Sequence, residues 1–143
     1  MKTLKRITLI NILFITFSLF LTSCNKDAID VVPKITIDLT GINNFDFGVI
    51  ANGSVSSPKT YKVYGNNLQG KIRVQAPTNF ELSIDNGAFT NEILFSLGNE
   101  TDYKLVAIRF APESGTPGVK TGEIIHSSYN AVDVTHTWTG TEE

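Results

Sequence analysis

From Lys34 onward the chain is written in a period of two. Lys34-Ile35-Thr36-Ile37-Asp38-Leu39 puts Ile35, Ile37 and Leu39 on one face and polar groups on the other, the signature of a half-buried strand. The same alternation returns at Phe45 to Val49, Thr60 to Tyr64, Lys71 to Gln75 and Phe80 to Ile84. Shorter or less strict runs follow at Glu92 to Leu97, Lys104 to Phe110, Thr121 to His126 and Ala131 to Thr139. Turn chemistry separates them: Gly41-Ile42-Asn43-Asn44, Ala51-Asn52-Gly53-Ser54, Gly65-Asn66-Asn67, Ala76-Pro77-Thr78-Asn79, Asp85-Asn86-Gly87, and the Pro112 to Gly118 loop. No window in this part of the chain has a helical period. Eight or nine short strands with turns every 8 to 12 residues or so predict an all-β fold, an Ig-like antiparallel β-sandwich. A closed barrel would show the same periodicity. The expected core is Ile37, Leu39, Phe47, Tyr61, Val63, Ile72, Val74, Phe80, Leu82, Ile84, Phe95, Val106, Ile108, Phe110, Ile124, Val132, Val134 and Trp138.

The first thirty residues follow a different rule. Lys2, Lys5 and Arg6 precede an uncharged, mostly Leu, Ile and Phe run from Ile7 to Leu21. A membrane-spanning helix needs about 20 apolar residues, and this run is shorter. A basic start, a short apolar middle and a small polar end are the layout of a secretory signal peptide. The segment ends in Leu21-Thr22-Ser23-Cys24, which resembles the lipobox of bacterial lipoproteins. That resemblance implies a diacylglyceryl thioether on the Cys24 sulfur, cleavage before Cys24, and firm attachment to a membrane through acyl chains. The expected organisation is therefore a signal peptide over 1–23, an acylated N-terminus and tether over 24–33, and the sandwich over 34–143. Asn25-Lys26-Asp27 after the cysteine resembles the Lys-acidic tag of surface-exposed Bacteroidetes-type lipoproteins, although the second adjacent acidic residue is replaced by Ala28. The tag implies an outer-membrane, cell-surface location.

Composition narrows the partners. Loss of residues 1–23 removes three basic side chains and leaves nine against fourteen acidic ones, a formal charge of −5. Such a domain carries no electrostatic footprint for nucleic acid. One cysteine excludes an intrachain disulfide, so stability must come from the core.

Four blocks of residues resemble a known family. They are Phe47-Gly48 with Ser56 and Tyr61-Lys62-Val63-Tyr64-Gly65-Asn66-Asn67-Leu68; Ala76-Pro77-Thr78-Asn79-Phe80-Glu81-Leu82-Ser83; Ala107-Ile108-Arg109-Phe110-Ala111-Pro112; and Gly122-Glu123-Ile124-Ile125-His126-Ser127-Ser128, closed by Thr139-Gly140-Thr141. In this order they are similar to the Ig-like modules of Bacteroidetes-type secreted and surface proteins, distant relatives of the abnormal-spindle and hydin Ig-like repeats. The resemblance spans roughly residues 35 to 141. It implies a fold and a location, and no catalysis. Such modules usually occur as repeats or beside enzyme domains, whereas here one module follows an anchor. On the residues themselves, Gly65 and Gly122 suit tight turns or a bulge, and Arg109 is placed outward to reach an acidic partner across the strands.

Candidate chemistry is sparse. His126 and His136 do not form a pair at close spacing, and with no second cysteine they give poor support to a metal site. His136 shares a face with Val134 and Trp138 and reads as a hydrogen-bonded, partly buried histidine. No serine sits on a Gly-x-Ser-x-Gly elbow. Asp85, Glu100, Asp102 and Glu113 scatter over loops, and Asp85-Asn86-Gly87 reads as a hairpin turn rather than a calcium loop. Nothing calls for a cofactor. Exposed aromatic rings would offer stacking surfaces for a glycan or a protein, and the candidates are Tyr64, Phe89, Tyr103 and Tyr129, with Trp138 considered beside them. The expected function is that of a lipid-anchored, non-enzymatic envelope module for binding, adhesion or accessory work. The alternative is a purely structural envelope lipoprotein with no ligand of its own.

Overall fold

The structure, a computed structural model, describes residues 31–143. The signal segment, Cys24 and the Asn25-Lys26-Asp27 tag lie outside the described residues. Nine strands and no helix are found among the described residues: β1 Lys34–Asp38, β2 Asp46–Ile50, β3 Lys59–Asn66, β4 Ile72–Gln75, β5 Phe80–Ile84, β6 Glu92–Phe95, β7 Tyr103–Phe110, β8 Gly118–Ser127 and β9 Val134–Glu142. They form two sheets, ordered β1-β3-β7-β5 and β2-β9-β8-β4-β6. The first follows the A-B-E-D order of an Ig domain, and β4, β8 and β9 take the C, F and G places of the second. The chain is thus an Ig-like β-sandwich with two separate sheets, not a closed barrel. All pairings are antiparallel except β2 with β9.

Both flanks of the sandwich are crossed by chain that changes sheet. On one side β1 pairs with β3, and the chain then bends over to lay β2 beside β9. Gly48, at φ +73°, sits in the irregular stretch between the Asp46 and Val49 pairings and supplies the bulge. On the other side β5 turns at Asp85 and Asn86, both at positive φ, with Gly87 N–H donating to the Ile84 carbonyl at 2.9 Å. This is the turn expected of Asp85-Asn86-Gly87, centred on its first two residues. Thr90 returns opposite Leu82, and the chain then crosses to pair β6 with β4. These crossings shorten the exposed sheet edges.

The core follows the alternation. Val63, Ile72, Val74, Leu82, Val106, Ile108, Phe110, Ile124 and Trp138 are fully buried. Each large apolar side chain contributes about 1.5–3 kcal/mol through burial. Ile37, Leu39, Phe47, Ile84 and Val134 pack partly buried against this cluster, and Ile35, Ala76 and Ile93 join it. Val132 departs from expectation and is 80% exposed. The last strand begins three residues later than the apolar pattern suggested and runs to Glu142, so Val132 falls in the preceding turn. β8 likewise starts at Gly118, inside the expected loop. Gly65 and Gly122 are not turn residues. Both lie within strands, where an added Cβ would run into Leu68 and Pro77 respectively.

Candidate binding face

The outward side of the four-stranded sheet is read row by row from its register. Thr36, Tyr64 and Tyr103 lie abreast on β1, β3 and β7. The next row is Asp38, Lys62 and Leu105, then Thr60, Ala107 and Ser83, then Arg109 and Glu81. Cross-strand neighbours on one face interact directly. The Tyr64 and Tyr103 ring centroids are 5.5 Å apart and the rings are tilted by 49°. The Lys62 ammonium lies 5.0 Å from the Tyr103 ring centroid, a cation–π contact that holds the ring. Tyr103 keeps 46% of its surface exposed and Leu105 keeps 42%.

The far end of this face is committed to the fold. Arg109 does reach an acidic partner, donating to Glu81 with Nε at 2.8 Å and Nη2 at 2.6 Å. Phe89, carried by the return limb after β5, lies over the Arg109 guanidinium at 4.0 Å. Ser83, 1% exposed, bonds the Gly87 carbonyl at 2.7 Å. Trp138, also considered as an exposed ring, is fully buried in the core, and the other four candidate aromatics divide. Tyr64 and Tyr103 come together as an open platform. Phe89 shares the face but is about 20 Å away along β7, at roughly 3.4 Å per residue, and is engaged by Arg109. Tyr129 stands apart in the β8–β9 turn, 66% exposed, against Gly70.

Beside Tyr103 a shallow cleft of about 360 Å³ is lined by Ser96, Leu97, Gly98, Thr101 and Asp102. Asn99 shapes it: its Oδ1 accepts from Thr101 N, Thr101 Oγ1 and Asp102 N, and Asp102 Oδ2 accepts from Asn99 N. Asp85 pairs instead with Lys104 at 2.7 Å, so the scattered loop acids do not converge. Among the described residues no three His, Cys, Asp or Glu side chains come together as metal ligands.

The two histidines do meet, which their sequence separation concealed. In the β8–β9 hairpin Ile124 pairs with His136 and His126 with Val134, so the imidazoles are diagonal neighbours on the inner face. Their centroids are 5.7 Å apart. His126 is fully buried; its Nδ1 is 3.1 Å from the Val134 carbonyl and its Nε2 is 2.9 Å from the Tyr61 hydroxyl. A carbonyl only accepts, so Nδ1 carries the proton and Tyr61 donates to Nε2. Burial pushes His126 down to about 4, with His136 adding to the effect and the Val134 bond opposing it. Burial also raises the Tyr61 hydroxyl and lowers His136. His136 is partly buried as expected but is not hydrogen-bonded through Nε2, which, like Trp138 Nε1, is buried without a partner. Phe45 closes this cluster, stacked at 6.4 Å on His136 and edge-on at 4.9 Å to Trp138.

No protein family and no curated protein matches this sequence. Solved structures do align with it. A PapD-like domain of human CEP192 is 10% identical at a TM-score of 0.45, covering 79% of this chain and 87% of that one. A conjugative transposon lipoprotein from Bacteroides eggerthii is 9% identical at 0.43, covering 76% and 96%. A family 123 glycoside hydrolase from Clostridium perfringens is 9% identical at 0.49, and the aligned part is only 27% of that enzyme. At these scores and identities nothing about activity or partners follows from the likenesses.

Proposed function

We propose that this chain is a lipid-anchored, non-enzymatic Ig-like module of the bacterial outer membrane that binds through the outward face of its four-stranded sheet. The observation that carries the binding reading is the Tyr64–Tyr103 pair: two large rings side by side, one nearly half exposed, at the open end of a face whose other end Phe89 covers. The lipobox at Leu21-Thr22-Ser23-Cys24 supports the anchor, and Asn25-Lys26-Asp27 supports display on the cell surface. The resemblance to Bacteroidetes-type modules, and through them to the hydin group, supports an envelope location. The non-enzymatic reading is supported by the position of the histidines. Both face the inside of the sandwich, and His126 has each ring nitrogen engaged.

Tyrosine footprinting tests the reading without knowing the partner. Purified full-length protein and intact producing cells are nitrated in parallel, and modification is read peptide by peptide. Tyr103 is expected to be protected on cells relative to the purified protein, with Tyr129 equally modified in both as the internal standard. Equal modification of Tyr103 in both samples would sink the binding reading in favour of a structural lipoprotein.

A further inference from the structure

We propose that the occupant of the Tyr64–Tyr103 platform is a neutral, hydroxyl-rich glycan chain. The inference rests on the binding role argued above and adds the chemical class of the ligand.

Three features of the face select this class. Charge comes first. Arg109 is paired with Glu81, Lys62 stands opposite Asp38 in the register, and the exposed Lys34, one row beyond Thr36, is matched in number by Asp102 of the cleft beside Tyr103. The ionic groups cancel locally, and a polyanion such as a nucleic acid, an acidic polysaccharide or a phosphate surface meets no net positive field. Size is second. Four strands about 4.8 Å apart, the longest of eight residues at about 3.4 Å each, present roughly 500 Å². A stable protein interface takes about 800 Å² from each partner. The Arg109 end of even this area is roofed by Phe89, so a second copy of the chain or another folded domain is poorly served. Surface chemistry is third. The apolar C–H face of a pyranose stacks on an aromatic ring, while its hydroxyls need donors and acceptors at the rim. Tyr64 and Tyr103 supply the rings. Thr36 lies abreast of them, and the cleft lined by Ser96, Thr101 and Asp102 opens beside Tyr103. A mostly apolar floor with a few placed polar groups is the usual make-up of a small-ligand site.

The test is native electrophoresis of the detergent-solubilised full-length protein through gels containing one polysaccharide each. The neutral probes are hydroxyethylcellulose, laminarin, xylan and mannan, and the acidic probes are polygalacturonate and heparin. At least one neutral probe is expected to retard the wild type, with little change on adding salt. Tyr103→Ala is expected to weaken that retardation about tenfold or more, the loss of one stacked ring. Tyr103→Phe keeps the ring and is expected to stay close to wild type. Tyr129→Ala is expected to change nothing. Circular dichroism of each variant checks the fold. Retardation by acidic probes alone, by no probe, or equally in wild type and Tyr103→Ala overturns the inference. Footprinting separates the two failures. Tyr103 protected on cells without neutral-glycan binding removes only the ligand class, and Tyr103 unprotected as well removes the binding face itself.

Discussion

Acidification is predicted to unlock the core at His126. Its neutral ring, protonated on Nδ1, is the only form that satisfies both the Val134 carbonyl and the Tyr61 hydroxyl. Adding a proton to Nε2 turns a bonded lone pair into a second donor. Tyr61 must then rotate its own hydrogen away into an apolar interior, and a charge is buried beside His136. The groups facing the ring are Tyr61 from β3 and His136 from β9, and neither offers a compensating negative charge. The sign follows. The unfolded chain binds this proton near pH 6.5 and the native protein only near 4, so between those values the unfolded state holds more protons and stability falls as pH drops. Above 6.5 the contribution is whole, and below about 4 nothing further is lost from this group. At 1.36 kcal/mol per unit, the full window is worth about 3 kcal/mol, a large share of a typical 5–15 kcal/mol. Urea titrations followed by the fluorescence of Trp138, the single tryptophan and fully buried, give the readout. From pH 7.5 to 4.5 the midpoint is expected to fall by roughly 1–2 M urea. His126→Gln, which keeps an acceptor for Tyr61 and cannot titrate, is expected to be less stable at pH 7.5 but distinctly flatter with pH. Carboxylates titrate in both proteins, so the difference between their slopes isolates His126. Parallel slopes would refute the reasoning.

Other predictions follow from single contacts. At Gly140 an added Cβ would lie 2.6–2.9 Å from three atoms of the fully buried Phe110 ring, so Gly140→Ala is expected to destabilise by about 1–3 kcal/mol in the same urea assay. Glu142, 1% exposed, accepts from Gly115 N, Thr116 N and Thr116 Oγ1, each at 3.2 Å, and so ties the β7–β8 loop to the last strand. Glu142→Gln weakens these charge-assisted bonds, with an expected loss of about 1–2 kcal/mol and faster amide exchange over residues 113–117. At the N-terminus, Cys24→Ala is expected to abolish incorporation of labelled palmitate, and persistent labelling would exclude the lipobox reading.

The strands were legible because each needed only local information. Ile72 and Val74 point inward and Arg73 and Gln75 outward, and a period of two says so without knowledge of any partner. Arg109 could be placed outward for the same reason. Val132 was misplaced because an apolar residue one turn before a strand extends the alternation by chance, and only the hairpin register shows where pairing starts. The binding face was half legible. Tyr64 could be seen to oppose Tyr61 and Val63 on its strand, but its adjacency to Tyr103 depends on how β3 and β7 align, which is a long-range fact. Phe89 looked like a free loop aromatic because nothing local reveals that its limb folds back over Arg109. The histidine pair had a usable signal. Once a turn is placed near Ser128 to Ala131, where Ala131 N–H bonds the Ser128 carbonyl at 3.1 Å, the inward positions of the hairpin bring His126 and His136 onto one diagonal.

An anchored module that faces outward must be open to attack from the medium. Protease treatment of intact cells producing the wild type, beside cells producing Cys24→Ala, tests it most directly. The full-length band is expected to disappear from intact wild-type cells, and the Cys24→Ala protein to be absent from the outer membrane. Protection of the wild-type band until the outer membrane is broken would contradict it, and would move the search for a partner to the inner side of that membrane.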